Sequence, residues 1–151
     1  MSKLIHKLIL FICGFCLYIT IETCFRGYSF VLMGICGGIA FILLDCINRV
    51  LPWDTDILIQ GGIGACIITF MELIVGECLK CFGFPLMWDY SNMFFNFDGV
   101  ICLEFSLIWV LVSIAGIIVA DAINYYVFNE QPIPYYKLFG KTILKFKRKE
   151  E

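Results

Sequence analysis

The chain has 151 residues, of which 61% are hydrophobic, 17% aromatic and 16% charged, with a formal net charge of −2. Its mean hydropathy is +0.90 and its isoelectric point about 5.4. An ordinary soluble domain is about 45–50% apolar and about 25% charged, and a globule of this length has no interior large enough to hide the excess. The composition excludes a soluble enzyme, a disordered chain and, for want of a net basic field, a nucleic-acid binder. A membrane protein remains, with the lipid bilayer as its first partner.

A helix needs about 20 residues to cross about 30 Å of hydrocarbon. Stretches without charge predict four such helices, near Leu8–Cys24, Tyr28–Ile47, Ile57–Leu79 and Ile101–Asn124. The first begins like a signal peptide, with Lys3 and Lys7 before an apolar run. No small-x-small cleavage pattern follows Thr20-Ile21-Glu22-Thr23-Cys24, so it is read as a retained helix. Four spans put both termini on one side. That side carries Lys3, Lys7, Arg49, Lys137, Lys141, Lys145, Lys147, Arg148 and Lys149, against Arg26 and Lys80 on the other. The excess of Lys and Arg places both termini in the cytoplasm and the protein in the cell membrane as a multi-pass chain.

The organisation expected is all-α: a four-helix transmembrane domain over 1–128, then a basic cytoplasmic tail over 129–151. Lys137, Lys141 and Lys145 recur every four residues, the spacing of one helical face. The tail is therefore compatible with an amphipathic helix on anionic lipid, the alternative being a solvated positive segment that only fixes topology. The outer connection between the third and fourth helices, Lys80–Val100, is long and reads as structured. Gly83-Phe84-Pro85 turns the chain, and Asp89 and Asn96 are residues that bond their own backbone in turns.

Helices in lipid associate through small residues and polar contacts. Gly34-x-x-x-Gly38 is such a surface on the second helix, Gly61, Gly62, Gly64 and Ala65 thin the third, and Gly116-x-x-x-Ala120 thins the fourth. The Gly34/Gly38 stripe reads either as a homo-oligomer interface or, more simply, as a contact within one bundle.

The carboxylates carry the functional expectation. A charge at the bilayer centre costs about 2.5–3.5 kcal/mol on insertion scales. Glu72 lies well inside the third span, so it is expected to be protonated, paired or turned to a wet cavity. Glu22 and Arg26 stand four apart, the spacing of an ion pair. Glu104 opens the fourth helix, where the dipole favours an anion. Together Glu22, Arg26, Glu72 and Glu104 outline an outward-facing polar site for a cation or protons; the plainer reading of Glu22, Glu77 and Glu104 is that they mark helix ends.

Nine cysteines include two C-x-x-C pairs, Cys13/Cys16 and Cys78/Cys81. They invite comparison with membrane thiol oxidoreductases such as quinone-coupled disulfide-forming enzymes. Their depths differ by roughly 15–20 Å at 1.5 Å per residue, too far for direct exchange. Cys24, Cys78, Cys81 and Cys102 fall near one face but lack a zinc spacing signature, so no metal and no cofactor is expected. Within apolar helices cysteine is usually a small hydrophobe. Gly140-Lys141-Thr142 imitates the end of a P-loop, but the required upstream Gly is Tyr135. The single histidine, His6, supplies no Ser-His or Cys-His pair. No catalytic residue is assigned, and the chain is not read as an enzyme.

The densest string is Trp88-Asp89-Tyr90-Ser91, then Asn96, Gly99, Ile101-Cys102-Leu103, Phe105-Ser106 and Trp109. Tryptophan and tyrosine prefer the membrane interface, and this segment is expected to fold over the outer mouth of the bundle. It resembles the bacterial family of small membrane proteins described as "Putative ABC-transporter type IV" permeases, in which W-D-Y-S, N-x-x-G-x-I-C-L-x-F-S and a following W form the most recognisable stretch. Glu22 at the end of the first helix, and Glu72 with Gly76 in the third, also look like the family pattern. The resemblance runs from Glu22 to Phe128. Departures are Val31–Gly38 in place of a G-P-x-C-P-x-Y-G run, Phe94 in place of a Pro, and Val100 in place of a polar residue.

The resemblance implies a transporter or permease component whose ATPase partner, or other membrane partner, is a separate chain. The binding site expected comprises Glu22, Arg26, Glu72, Trp88, Asp89, Tyr90, Ser91, Asn96 and Glu104. The alternatives are a non-transporting membrane interaction module and a membrane thiol oxidoreductase.

Overall fold

The computed structural model describes residues 3–148. The four apolar stretches become α1 (Lys3–Arg26), α2 (Val31–Val50), α3 (Ile57–Cys81) and α4 (Leu103–Ala122), the last continuing into a π-helical turn at Ile123–Val127. Each is long and apolar enough to cross a membrane. Local chemistry sets their ends. Gly27, at φ +84°, closes α1 with a bond from its N–H to the Thr23 carbonyl at 2.8 Å. Leu51 follows α2 and precedes Pro52, and at ψ 149° it has left the helical region, as a residue before proline does. The Asp56 carboxylate accepts from the Leu58 N–H at 2.9 Å and caps α3.

The helices pair as α1 with α2 and α3 with α4, and α2 also meets α3 and α4. Small residues set these approaches. Gly34 faces Phe15, Gly37 faces Tyr18 and Gly38 faces Phe11, all on α1. The Gly34/Gly38 stripe is thus filled inside the chain by two phenylalanines, the simpler of its two readings. On the other pair, Gly61 faces Ile114 and Gly64 faces Ser113, whose Cβ would lie 2.6 Å from a Cβ added at Gly64. Ile59, Phe70, Leu107 and Leu111 are exposed on the helix surfaces, as side chains bathed in lipid are.

Between α3 and α4 the chain forms a cap over residues 82–100. It holds a two-stranded antiparallel pair, β1 (Asn96–Phe97) with β2 (Ile101–Cys102). Trp88, Tyr90, Val100 and Cys102 form one buried cluster with Met33 of α2, and Tyr18, Leu73 and Phe105 pack round it. The cap therefore plugs one end of the bundle.

The tail corrects the amphipathic-helix expectation. It forms an antiparallel hairpin of β3 (Tyr135–Leu138) and β4 (Lys141–Lys145). Phe139 and Gly140 both have positive φ, +48° and +76°, the backbone of a two-residue hairpin turn. The four-residue lysine spacing is split by that turn, with Lys137 on β3 and Lys141 and Lys145 on β4. Tyr136 of β3 is fully buried. Its anchoring comes from the α2–α3 connection: the Phe139 N–H donates to Asp56 at 2.6 Å and Lys137 pairs with Asp54. The chain is therefore mostly helical with two small hairpins rather than wholly α. Residues 149–151 of the expected tail lie outside the described residues.

Candidate functional site

Glu72 stands on the inward face of α3 and is 8% exposed. Its Oε1 accepts from the Tyr90 hydroxyl at 3.1 Å and its Oε2 from Trp109 Nε1 at 2.9 Å. One donor comes from the cap and one from α4, so this carboxyl fastens the cap to the bundle. The Tyr90 ring stacks on Phe105 at 4.7 Å between centroids. Burial first, and then the neighbouring Glu72, push the Tyr90 phenol above its ordinary range, so it keeps its proton and remains a donor. Trp88 is set by its own indole, which donates to the Val100 carbonyl at 2.7 Å.

Gly76, one turn beyond Glu72, lets the cap approach. A Cβ there would collide with the Val100 side chain. Gly99 serves the cap itself. It sits at φ +67°, and a Cβ would lie 2.6 Å from Ser91 Oγ. Asp89 accepts from the Ser91 N–H at 2.9 Å and from the Ser91 hydroxyl, bonds that hold its carboxyl below the usual range. Asn96 donates to the Met93 carbonyl at 2.9 Å and accepts from the Gly99 N–H at 3.2 Å. Lys80 locks the tip by reaching Asp98 Oδ2 at 2.6 Å and Glu77 at 3.3 Å.

Below the cap lies a cleft of about 290 Å³ between the two helix pairs. Glu72 is its one carboxylate; Tyr18, Met33, Phe41, Trp88 and Trp109 are among its walls. Apart from Glu72 and the Tyr18 hydroxyl the lining is almost wholly apolar.

The structure gathers Glu72, Trp88 and Tyr90 and disperses the other expected residues. Glu22 pairs with Arg26 at 2.8 Å and accepts from Ser29. Arg26 also donates to the Met87 carbonyl at 2.8 Å and lies over the Tyr28 ring at 4.6 Å. This ion pair braces the cap to α1 and does not line the cleft. Asp89, Ser91 and Asn96 are exposed and shape cap turns, and Glu104 is exposed on the first turn of α4. Thr69, on the Glu72 face, bonds Ser106 at 3.2 Å.

Two groups of residues escaped the sequence reading. Trp109 was noted only as the end of a motif, although a buried indole N–H in an apolar helix needs an acceptor. Tyr18 belongs to α1 and stacks on Trp109 at 6.4 Å. At the opposite end of the bundle, Asp45, Asn48 and Arg49 share one face of α2 at i, i+3 and i+4 spacing, and meet Asp121 and Asn124. That spacing was the available signal.

All nine cysteines are free, with Cys102 buried. Among the described residues no three His, Cys, Asp or Glu side chains are grouped to hold a metal ion.

A family model described as "Putative ABC-transporter type IV" matches residues 4–145. The chain belongs to this family. The match takes in all four helices, the cap and the terminal hairpin, a wider span than the motif from Trp88 to Trp109. Comparison with curated proteins and comparison with solved structures each found no match. Family and helices together make this a multi-pass membrane protein that fits a transporter component.

Proposed function

We propose that the protein is the membrane-embedded part of a transport system and that the Glu72 cleft is its cargo site. The observation that carries the reading is a carboxyl group sunk in the third span, at the end of an apolar cleft and beneath a folded cap. A cleft of this size lies at the lower edge of small-molecule sites, about 300–1,000 Å³. Its walls suit an apolar body, and Glu72 suits one hydrogen-bond donor or positive group on it. Arg26, Asp89, Asn96 and Glu104 act in this reading by shaping the mouth. Both termini face the cytoplasm, following the distribution of Lys and Arg. An ATPase, if the system is driven by one, is a separate chain that meets this end.

The test uses the full chain in nanodiscs and a brominated dodecylamine that quenches tryptophan emission. Quenching is expected to saturate, to weaken in Glu72→Gln and in the cleft-filling Ala40→Phe, and to be absent with brominated dodecanoate. Equal quenching by amine and carboxylate, unaffected by either substitution, would refute the cargo site.

A further inference from the structure

The Glu72 cleft is closed at its ends and open at its side. At one end the cap covers it, with Trp88 and Tyr90 buried. Toward the other, Leu10 of α1, Phe41 of α2 and Ala120 of α4 form one buried cluster, and His6 meets Asn124 beyond it at 2.8 Å. Between these closures the lining is uneven. Its residues on α2 and α3 are buried or half-buried. Leu17 and Ile21 of α1, and Ala115 and Val119 of α4, both wall the cleft and stand exposed on the outer surface. The opening is therefore a slot between α1 and α4. The packing explains it: α1 meets α2 along the glycine seam and has no comparable seam with α4.

The depth of the slot decides what it faces. Its four flanking residues are all apolar and stand inside the spans Lys3–Arg26 and Leu103–Val127. At that level the surrounding medium is hydrocarbon rather than water. A solute in water meets the cap or the Leu10 cluster, whereas a molecule dissolved in the bilayer meets an apolar opening. The slot runs beside Gly14 to Ile21, roughly 10 Å at 1.5 Å per residue, long enough for a run of methylenes. A volume of about 290 Å³ has room for one chain, not for the two of a phospholipid. Inside, the walls are apolar until Glu72 beneath the cap. Each of its carboxyl oxygens accepts one bond and has a further lone pair for a ligand head.

Resting on the cargo-site reading, we infer that the cargo is a single-chain amphiphile dissolved in the membrane. It enters sideways between α1 and α4, lays its chain in the cleft and brings a hydrogen-bond donor or cationic head to Glu72.

The test uses the full chain in nanodiscs of phosphatidylcholine brominated at mid-chain, against the same discs unbrominated. One acyl chain reaching through the slot brings bromine to Trp109, which lines the cleft and is 8% exposed. Tryptophan emission is expected to be lower in the brominated discs. That loss should be absent in Trp109→Phe and at least halved in Ala115→Phe and in Leu17→Phe, each of which fills the slot from one edge; the second serves where the first does not fold. No loss in the wild type, or an equal loss in the folded slot variant, overturns the lateral route. The brominated phospholipid carries no amine head, so this result is separate from binding at Glu72. Acyl-chain quenching without a saturable response to the brominated amine would instead refute the cargo site, and the inferred cargo with it.

Discussion

Tyr90→Phe removes one oxygen and leaves the ring that stacks on Phe105 in place, so it isolates a single bond. That bond, from the Tyr90 hydroxyl to Glu72 Oε1 at 3.1 Å, is one of two that reach this side chain, 8% exposed, among the described residues. A hydrogen bond contributes about 0.5–1.5 kcal/mol net, and a buried acceptor left bare carries its own desolvation cost of about 1–3 kcal/mol. The expected destabilisation is about 2 kcal/mol. In a Glu72→Leu background the acceptor is already gone, so adding Tyr90→Phe should cost less than about 0.5 kcal/mol. Equilibrium unfolding in mixed micelles, run on the four members of the cycle, reads the difference. A coupling near zero would show that the cap does not rest on Glu72, and the roof of the cleft would lose its physical basis.

Gly76→Ala should drive Val100 away from α3, at about 1–3 kcal/mol for overpacking; an unchanged unfolding midpoint would contradict the close approach. Arg26→Gln breaks both the pair with Glu22 and the bond to the Met87 carbonyl, and is expected to speed limited proteolysis within residues 82–100 while leaving helix content intact by circular dichroism. The terminal hairpin should show an acid release. Lys137, and then Tyr135, hold the Asp54 carboxyl below its ordinary range. A depressed folded value means the tether is complete above the unfolded carboxyl value, about 3.9, and fades as pH falls through the lower folded one. Trp53, 6.2 Å from the Tyr135 ring and 6.5 Å from Tyr136, reports it: emission should hold down to about pH 5 and shift below about pH 4. In Asp54→Asn that shift should be absent, and its persistence would point to another group.

The four spans were legible because their signal is composition over some twenty residues, which tertiary contacts do not reverse. Glu72 was legible because a carboxyl inside such a run has few explanations. The partners were not. Trp109 and Tyr90 reach Glu72 across 37 and 18 residues, and no local spacing encodes an approach between helices. Glu22 and Arg26 were matched correctly as a pair, since i, i+4 is a local rule, yet their service to the Met87 carbonyl rather than to the cleft depends on how the cap folds. The tail misled for a related reason. A four-residue lysine repeat satisfies a helix, but Phe139-Gly140 interrupts it, and the positive φ at both residues favours a reversal. The polar end of the bundle was passed over because Asp45, Asn48, Asp121 and Asn124 sit close to helix ends, where charge is ordinary and draws no notice.

Helix α2 touches each of the other three, and the broadest of those meetings, with α1, runs through Gly34, Gly37 and Gly38. In that seam three aromatic rings of α1 seat in the notches the glycines leave, and between the helix pairs Leu44 of α2 packs against Gly64 and Gly116. The two helix pairs are also fastened at their extremities, by Arg26 and Glu72 through the cap and by His6, Arg49 and Asp121 at the other end. A molecule so built is held at three levels, and loosening either end leaves the mid-bundle seat of Leu44 in place.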